Sequence, residues 1–199
     1  MLSPAVADAV LAACWSALAL DTLRHVRRQR VARAELGPVV RGGWRPRWPV
    51  ALGFVAAIAV GAALLEHFTG RLPFRSGLAL LGLALVVAGV VLNVRARRAL
   101  GPHWTGTVEV RARHALVVRG PYARVRHPIY LSGLLLATGS FLAHPSAATA
   151  CIAGGLTVGL LLKTWLEERT LRDALGTEYA RYAARVPALL PRLGARNVP

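Results

Sequence analysis

The amino-acid sequence predicts an all-α integral membrane protein with about five transmembrane helices, the last two forming a helical hairpin, a cytoplasmic β-hairpin insert and a C-terminal amphipathic helix. Three observations carry this expectation. Hydrophobic residues make up 55% of the 199 positions, and the mean hydropathy is +0.46. The apolar residues gather in runs of about twenty, which at ~1.5 Å per residue cross a ~30 Å hydrocarbon core. The basic residues fall in alternate connections between those runs, as the positive-inside rule requires.

The first run, Pro4 to Leu23, has no Lys or Arg ahead of it and carries Asp8. It lacks the basic start of a signal peptide and reads as a retained helix. The second run extends from Pro49 to Phe68 and the third from Gly77 to Val94, each long enough to span. The fourth, Ile129 to Ala143, is short. His144-Pro145-Ser146 breaks the pattern, and a fifth run follows from Ala147 to Leu166, so the last two form a hairpin around a tight turn.

Arginine placement fixes the expected orientation. The first connection holds Arg24, Arg27, Arg28, Arg30, Arg33, Arg41, Arg45 and Arg47. The connection after the third run holds Arg95, Arg97, Arg98, Arg111, Arg113, Arg119, Arg124 and Arg126. With Lys163, Arg169, Arg172, Arg181, Arg185, Arg192 and Arg196, 23 of the 25 basic residues share one side, and Arg71 and Arg75 lie opposite. The chain is therefore expected to be a multi-pass protein of the cell membrane with its N-terminus out, its C-terminus in and its polar motifs facing the cytoplasm. Its formal net charge of +16 follows the loops, so no nucleic-acid partner is expected. Residues 1–199 read as one membrane domain, with three N-terminal helices in 1–94 and the polar motifs in 95–199.

The one sizeable polar insert runs from Arg95 to Arg126. Within it, Thr107-Val108-Glu109-Val110-Arg111 and Ala115-Leu116-Val117-Val118-Arg119 flank Ala112-Arg113-His114, a pattern that predicts a short hairpin. Gly120-Pro121 then turns the chain toward the fourth run. Cys14 and Cys151 sit in apolar runs without metal-ligand spacing and read as reduced, buried thiols, and no metal is expected. Gly155 and Gly159 form a small-xxx-small pair suited to close helix packing.

Two polar stretches carry the functional reading: Gly120-Pro121-Tyr122 through His127-Pro128-Ile129-Tyr130 ahead of the fourth run, and Lys163 with Glu167-Glu168 closing the fifth. A structural reading exists for each. Proline suits the first turn of a helix, Arg126 can anchor to phosphates, Tyr130 fits an interfacial belt, and Lys163 can snorkel. Convergence favours function. Tyr122, His127 and Tyr130 would crowd around one helix N-terminus, where free N–H groups and the dipole receive anionic or polar ligands. Tyrosine faces can hold a flat base or a cationic sulfonium. Lys163, the only lysine in the chain, shares a helix face with Glu167, four residues on. Glu168 reads as part of a solvated face. Leu171, Leu175, Tyr179 and Tyr182 recur at helical spacing, with Gly176 interrupting and Val186-Pro187 ending the tail, and its tyrosines read as packing residues.

These residues resemble the C-terminal half of isoprenylcysteine carboxyl methyltransferases, and more distantly phospholipid N-methyltransferases. The likeness rests on Gly120-Pro121-Tyr122, Arg126-His127-Pro128-Ile129-Tyr130 with Gly133, Glu167-Glu168, Leu175-Gly176-Thr177-Glu178-Tyr179 and Val186-Pro187, and covers about Leu100 to Pro191. It implies an integral membrane enzyme that uses S-adenosyl-L-methionine, with residues 95–199 as the cofactor-binding catalytic half. The resemblance assigns the cofactor pocket to His114, Ala115, Leu116, Val117, Tyr122, His127, Pro128, Ile129, Tyr130 and Glu167. The family's substrate-side arginine falls on Lys163, which keeps the charge and lacks the planar fork, and would orient an anionic acceptor. A carboxylate or thiolate acceptor needs no strong base, which favours O- or S-methylation of a lipophilic or lipid-linked substrate. The alternatives are a sterol-type membrane reductase using NADPH and a non-catalytic membrane protein.

Overall fold

In the computed structural model, residues 2–34, 39–42, 67, 73, 75–104, 109–111 and 116–191 are described. The expected second span, His114 and Ala115 lie outside them, apart from His67 of that span. In chain order the elements are helix α1 (Pro4–Ala34), strand β1 (Val39–Gly42), helix α2 (Ser76–Leu100), a 3-10 turn at Gly101–His103, strand β2 (Glu109–Arg111), a second 3-10 turn at Gly120–Ala123, and helices α3 (Pro128–Ala143) and α4 (Ala147–Arg185). Among the described residues, three helical stretches are long and apolar enough to cross a bilayer: Pro4–Arg28, Ser76–His103 and Ala147–Arg185. The expected fourth span is α3, a shorter apolar helix. Leu80, Leu81 and Val87 on α2 and Val158, Leu161, Leu162 and Trp165 on α4 are exposed apolar side chains, as expected of helices that face lipid.

The chain divides into two compact units. The first comprises Met1–Ala19, Pro46–Val91 and Ser132–Leu160. Its core joins Leu11 and Leu18 of α1, Val86 of α2 and Leu136 and Ala143 of α3, with Cys14, Leu83 and Val90 packed against them. The spacings 11, 14, 18 and 83, 86, 90 are the three- and four-residue steps that keep a seam on one helix face. Lipid tails offer no hydrophobic drive for helix association, so close contact and hydrogen bonds must supply it. Both are present. A Cβ on Gly139 would lie 2.6 Å from the Gly82 carbonyl oxygen, and one on Gly89 would meet Leu136 at 2.9 Å. Trp15 Nε1 donates to Ser140 Oγ at 3.2 Å, and His144 Nδ1 lies 2.6 Å from Asp8 Oδ1. The turn between α3 and α4 is held by a reciprocal capping pair, in which Thr149 N–H donates to Ser146 Oγ and Ser146 N–H to Thr149 Oγ1.

The second unit comprises Leu20–Arg45, Leu92–Leu131 and Leu161–Pro199. Arg97 of α2, 1% exposed, ties α2 to α1: its guanidinium donates to Thr22 and, at 2.9 Å, to Asp21 Oδ2. The same guanidinium lies 5.8 Å from the centre of the Trp104 ring.

Three expectations are corrected here. Strand β2 exists, yet its partner is β1, antiparallel, with Gly42 opposite Glu109 and Arg41 opposite Val110. Residues 116–119 are not in a strand, so the expected hairpin between 107–111 and 115–119 does not form. Alternation identifies a strand and leaves its partner open, and the β-branched Val39-Val40 stretch of the first connection supplies the edge that β2 pairs with. The amphipathic tail is a separate helix only beyond Gly176, and Leu171 and Leu175 belong to the spanning helix. α4 runs on past Leu166 and breaks only at Gly176, whose φ of 51° and ψ of −124° mirror the extended region and suit glycine alone. Finally, the close packing lies at Gly82, Gly89 and Gly139, while a Cβ at Gly155 or Gly159 would meet nothing within 4 Å.

This contrast gives a test of packing. Gly139→Ala forces a methyl against backbone and is expected to destabilise by about 1–3 kcal/mol. Gly159→Ala adds helix propensity in open space and is expected to be neutral or stabilising by up to about 1 kcal/mol. Thermal unfolding in detergent compares them, and equal effects would contradict the close contact of α2 with α3.

Candidate functional site

The N-terminus of α3 is built by its own sequence. Gly120, with φ of 62°, starts the 3-10 turn that lifts Pro121 and Tyr122 off the preceding extended segment. His127 then caps α3: its carbonyl oxygen accepts from the N–H groups of Tyr130 and Leu131 at 3.1 and 3.0 Å. Pro128 takes the first helical position, where its missing N–H costs nothing. This places His127 and Tyr130 one turn apart with their rings stacked, 5.4 Å between centres and 6° between planes.

α4 brings the other half of the site. Glu167 Oε2 lies 3.5 Å from His127 Nδ1, and Lys163, one turn earlier, sets its Nζ 5.5 Å from the centre of the Tyr130 ring. The expected set Tyr122, His127, Pro128, Tyr130, Lys163 and Glu167 is thus assembled at one place. Ile129 occupies the first turn of α3 between His127 and Tyr130 and is half-buried. Leu116 and Val117 are half-buried in an irregular segment ahead of Gly120, and His114 and Ala115 lie outside the described residues.

Glu168 is the residue that sequence reasoning misplaced. It is 8% exposed, and its Oε1 accepts from Arg126 Nε at 2.8 Å, His127 Nε2 at 2.8 Å and Tyr179 OH at 2.7 Å. Its Oε2 accepts from Arg172 Nη2 at 3.1 Å. A carboxylate only accepts, so His127 Nε2 is the protonated nitrogen. The tail closes on the same point. Arg126 N–H donates to the Pro187 carbonyl oxygen and His127 N–H to that of Ala188, both at 2.9 Å, and Arg126 Nη1 reaches the Ala183 carbonyl oxygen at 2.9 Å. Tyr182 OH donates to the Tyr122 carbonyl oxygen at 2.7 Å. Arg126, Glu168, Tyr179 and Tyr182 were all read as solvent, phosphate or packing residues. The usable signal was Gly176, since a chain that doubles back there returns its tyrosines to the Glu167-Glu168 turn.

Burial and charge act together on the groups ahead of α3. Burial raises the Tyr122 phenol, and the Glu167 carboxylate raises it further, so it stays neutral. Burial alone would lower His127, yet its hydrogen bonds and charge pairing with Glu167 and Glu168 outweigh that and raise the imidazole above its ordinary range. Arg126 is likewise opposed by burial and raised by Glu168. The arrangement presents an accessible carboxylate on Glu167, a cationic Lys163 and an aromatic face, with Glu168 saturated behind them.

Two outcomes follow. Glu168→Ala leaves Arg126 and His127 buried without their anion and is expected to cost about 3–5 kcal/mol of stability, read by thermal unfolding in detergent. Because the His127 pKa is raised, its contribution is complete below the unfolded value of about 6.5 and disappears as pH rises through the folded value. The stability gap between the native chain and His127→Asn should therefore be widest near about pH 6 and narrow in alkaline solution. A gap that does not change with pH would show that His127 does not gain a proton on folding.

The family described as phospholipid methyltransferase matches residues 78–178. A probable protein-S-isoprenylcysteine O-methyltransferase of Oryza sativa subsp. indica is 30% identical over 151 residues, covering 67% of this chain and 74% of that protein. Protein-S-isoprenylcysteine O-methyltransferase B of Arabidopsis thaliana is 31% identical over 116 residues, covering 55% of this chain and 57% of that protein. In fold, the chain is similar to the solved eukaryotic intramembrane Ras methyltransferase, an isoprenylcysteine carboxyl methyltransferase, with a TM-score of 0.56 and 22% identity over 74% of this chain. The chain covers 54% of that structure. With α3, His127, Lys163, Glu167 and Glu168 and most of α2 and α4 inside the matched region, the chain belongs to the phospholipid methyltransferase family and is a membrane methyltransferase related to the isoprenylcysteine O-methyltransferases.

Proposed function

We propose that this protein transfers a methyl group from S-adenosylmethionine to a lipophilic acceptor, a carboxylate or thiol, at the N-terminal end of α3. The observation that carries this reading is the meeting of Glu167, Lys163 and the stacked His127–Tyr130 pair. The donor set suits the cofactor: the Tyr130 face already attracts one cation, and the Glu167 side chain is 27% exposed and can accept from a hydroxyl or amine. When bound, S-adenosylmethionine supplies a methyl group on a positively charged sulfur, already activated for displacement.

The protein's own residues then have positional work to do. Glu167 anchors the donor's polar end, and Tyr130 and Tyr122 present neutral aromatic surface beside it. Tyr122, His127, Pro128, Ile129 and Tyr130, with 114–117, form the wall of the donor pocket in this reading. Lys163 lies among exposed Leu162, Trp165 and Leu166, so an acceptor embedded in lipid can bring an anionic end to its ammonium group. Holding that end in line with the methyl carbon is worth most of the catalysis in such a displacement. The relatives' names specify a protein-S-isoprenylcysteine acceptor. The class carried over here is the lipophilic carboxylate or thiol, because a lysine point charge recognises an anion without the two-pronged geometry of arginine. We assign the site to residues 95–199 of one membrane domain, with the site and C-terminus cytoplasmic and the N-terminus outside, as the arginine distribution supports.

Calorimetry on the detergent-purified chain tests this. The native protein should bind S-adenosylhomocysteine and not a reduced nicotinamide nucleotide, and a Glu167→Ala, His127→Ala double variant should lose the binding. Nucleotide binding alone would move the chain to the reductases, and binding of neither would remove the methyl donor from the reading.

A further inference from the structure

Glu168 and Tyr179 are eleven residues apart on α4, which on an uninterrupted helix puts them ~16 Å apart along the axis. No pair of side chains closes that gap. Their 2.7 Å hydrogen bond exists because Gly176 breaks the helix between them and returns Tyr179, 1% exposed, to the Glu168 carboxylate. The contact lands on Oε1, the same oxygen that accepts from His127 Nε2 and Arg126 Nε. With Arg172 on Oε2, the carboxylate has donors on both oxygens and three on one. A carboxylate offers about four acceptor sites in all, so Glu168 is filled by the protein itself and is poorly placed to hold a ligand.

Its effect is exerted through His127. The imidazole meets Glu168 at Nε2, Glu167 at Nδ1 and the Tyr130 face along its plane, so the direction of the Glu168 carboxylate sets the direction of the ring. Arg126 fixes one edge of that carboxylate, and Arg172, a largely exposed side chain, reaches only its other oxygen. Tyr179 arrives from beyond the break and supplies a further fixed point, while Pro187 and Ala188 hold the backbone of Arg126 and His127 from the same segment.

We propose that Tyr179 is a positioning residue of the methyl-transfer site: through Glu168 Oε1 it holds the His127 ring in the orientation that stacks on Tyr130 and faces Glu167. The inference deepens the function proposed above and rests on it for the meaning of the site, though not for the geometry. It differs from a packing role for Tyr179, in which the hydroxyl is dispensable.

The experiment reads the ring directly. In 15N-histidine-labelled native protein without ligand, a hydrogen-bonded imidazole Nε2–H resonance that disappears in His127→Asn is expected. In Tyr179→Phe it should shift and broaden, and S-adenosylhomocysteine affinity by calorimetry should fall several-fold, as the His127 ring loses its fixed orientation. Tyr182→Phe removes an equally buried hydroxyl of the same segment that does not touch Glu168, and should leave the resonance in place. An unaltered resonance and affinity in Tyr179→Phe would overturn the proposal. So would a native His127 protonated at Nδ1 alone in alkaline solution, a result that decides the matter even where Tyr179→Phe does not fold. A native chain that shows the resonance and fails to bind S-adenosylhomocysteine would sink the donor reading and leave the positioning of His127 standing.

Discussion

Removing a carboxylate and its cationic partners from water costs several kcal/mol per ion, and only close hydrogen bonds offset it. Glu168 meets that condition with Arg126, His127, Tyr179 and Arg172 around one carboxylate. The second unit depends on it. The carboxylate draws the start of α3, the middle of α4 and the segment beyond Gly176 to a common point. Among the described residues of this unit, the buried hydrophobic side chains are Ala96, Val125, Tyr122, Tyr179 and Tyr182. Two of those tyrosines turn their hydroxyls to this network or to the Tyr122 backbone. The first unit is held differently, by glycine contacts and single polar pairs between helices.

Much of this was legible in the sequence, for physical reasons that can be named. Apolar runs set the helices because a bilayer demands length and apolarity together, and α1, α2 and α4 follow that rule. Pro128 marked the start of α3, and His144-Pro145-Ser146 marked the turn, because proline and a capping serine act locally. Lys163 and Glu167 were placed with the His127 segment by the hairpin geometry alone. What the sequence hid was non-local. The partner of β2 lies some seventy residues earlier in the chain, and alternation has no memory of distance. Glu168 looked like a surface carboxylate because its buried donors at positions 126, 127 and 179 all lie far from it along the chain. The glycine stripe at 155 and 159 looked like an interface, and composition cannot say which of several glycines meets a neighbour.

Neighbouring glutamates here have divided labour. Glu168 is saturated by the protein and buried, while Glu167, one residue earlier, has a partly exposed side chain and sets Oε2 beside the imidazole. A helix places consecutive residues 100° apart, so a single pair of carboxylates can face two environments without any change of backbone. The structural carboxylate fixes the imidazole, and the imidazole limits where the accessible carboxylate can go.

The return of the chain at Gly176 also constrains how the sequence can drift. Between that glycine and Ala188 the backbone is fastened at Tyr179, Tyr182, Pro187 and Ala188, each to a different fixed atom. Outward side chains such as Arg181 and Arg185 are exposed in that stretch and take no part in the fastenings. The length of the stretch is what the fastenings constrain. One residue inserted or deleted would rotate every later side chain by 100° and pull each fastening out of register at once. The segment from 176 to 188 is therefore metrically rigid and chemically tolerant, a stretch whose residue count should outlast its residue identities.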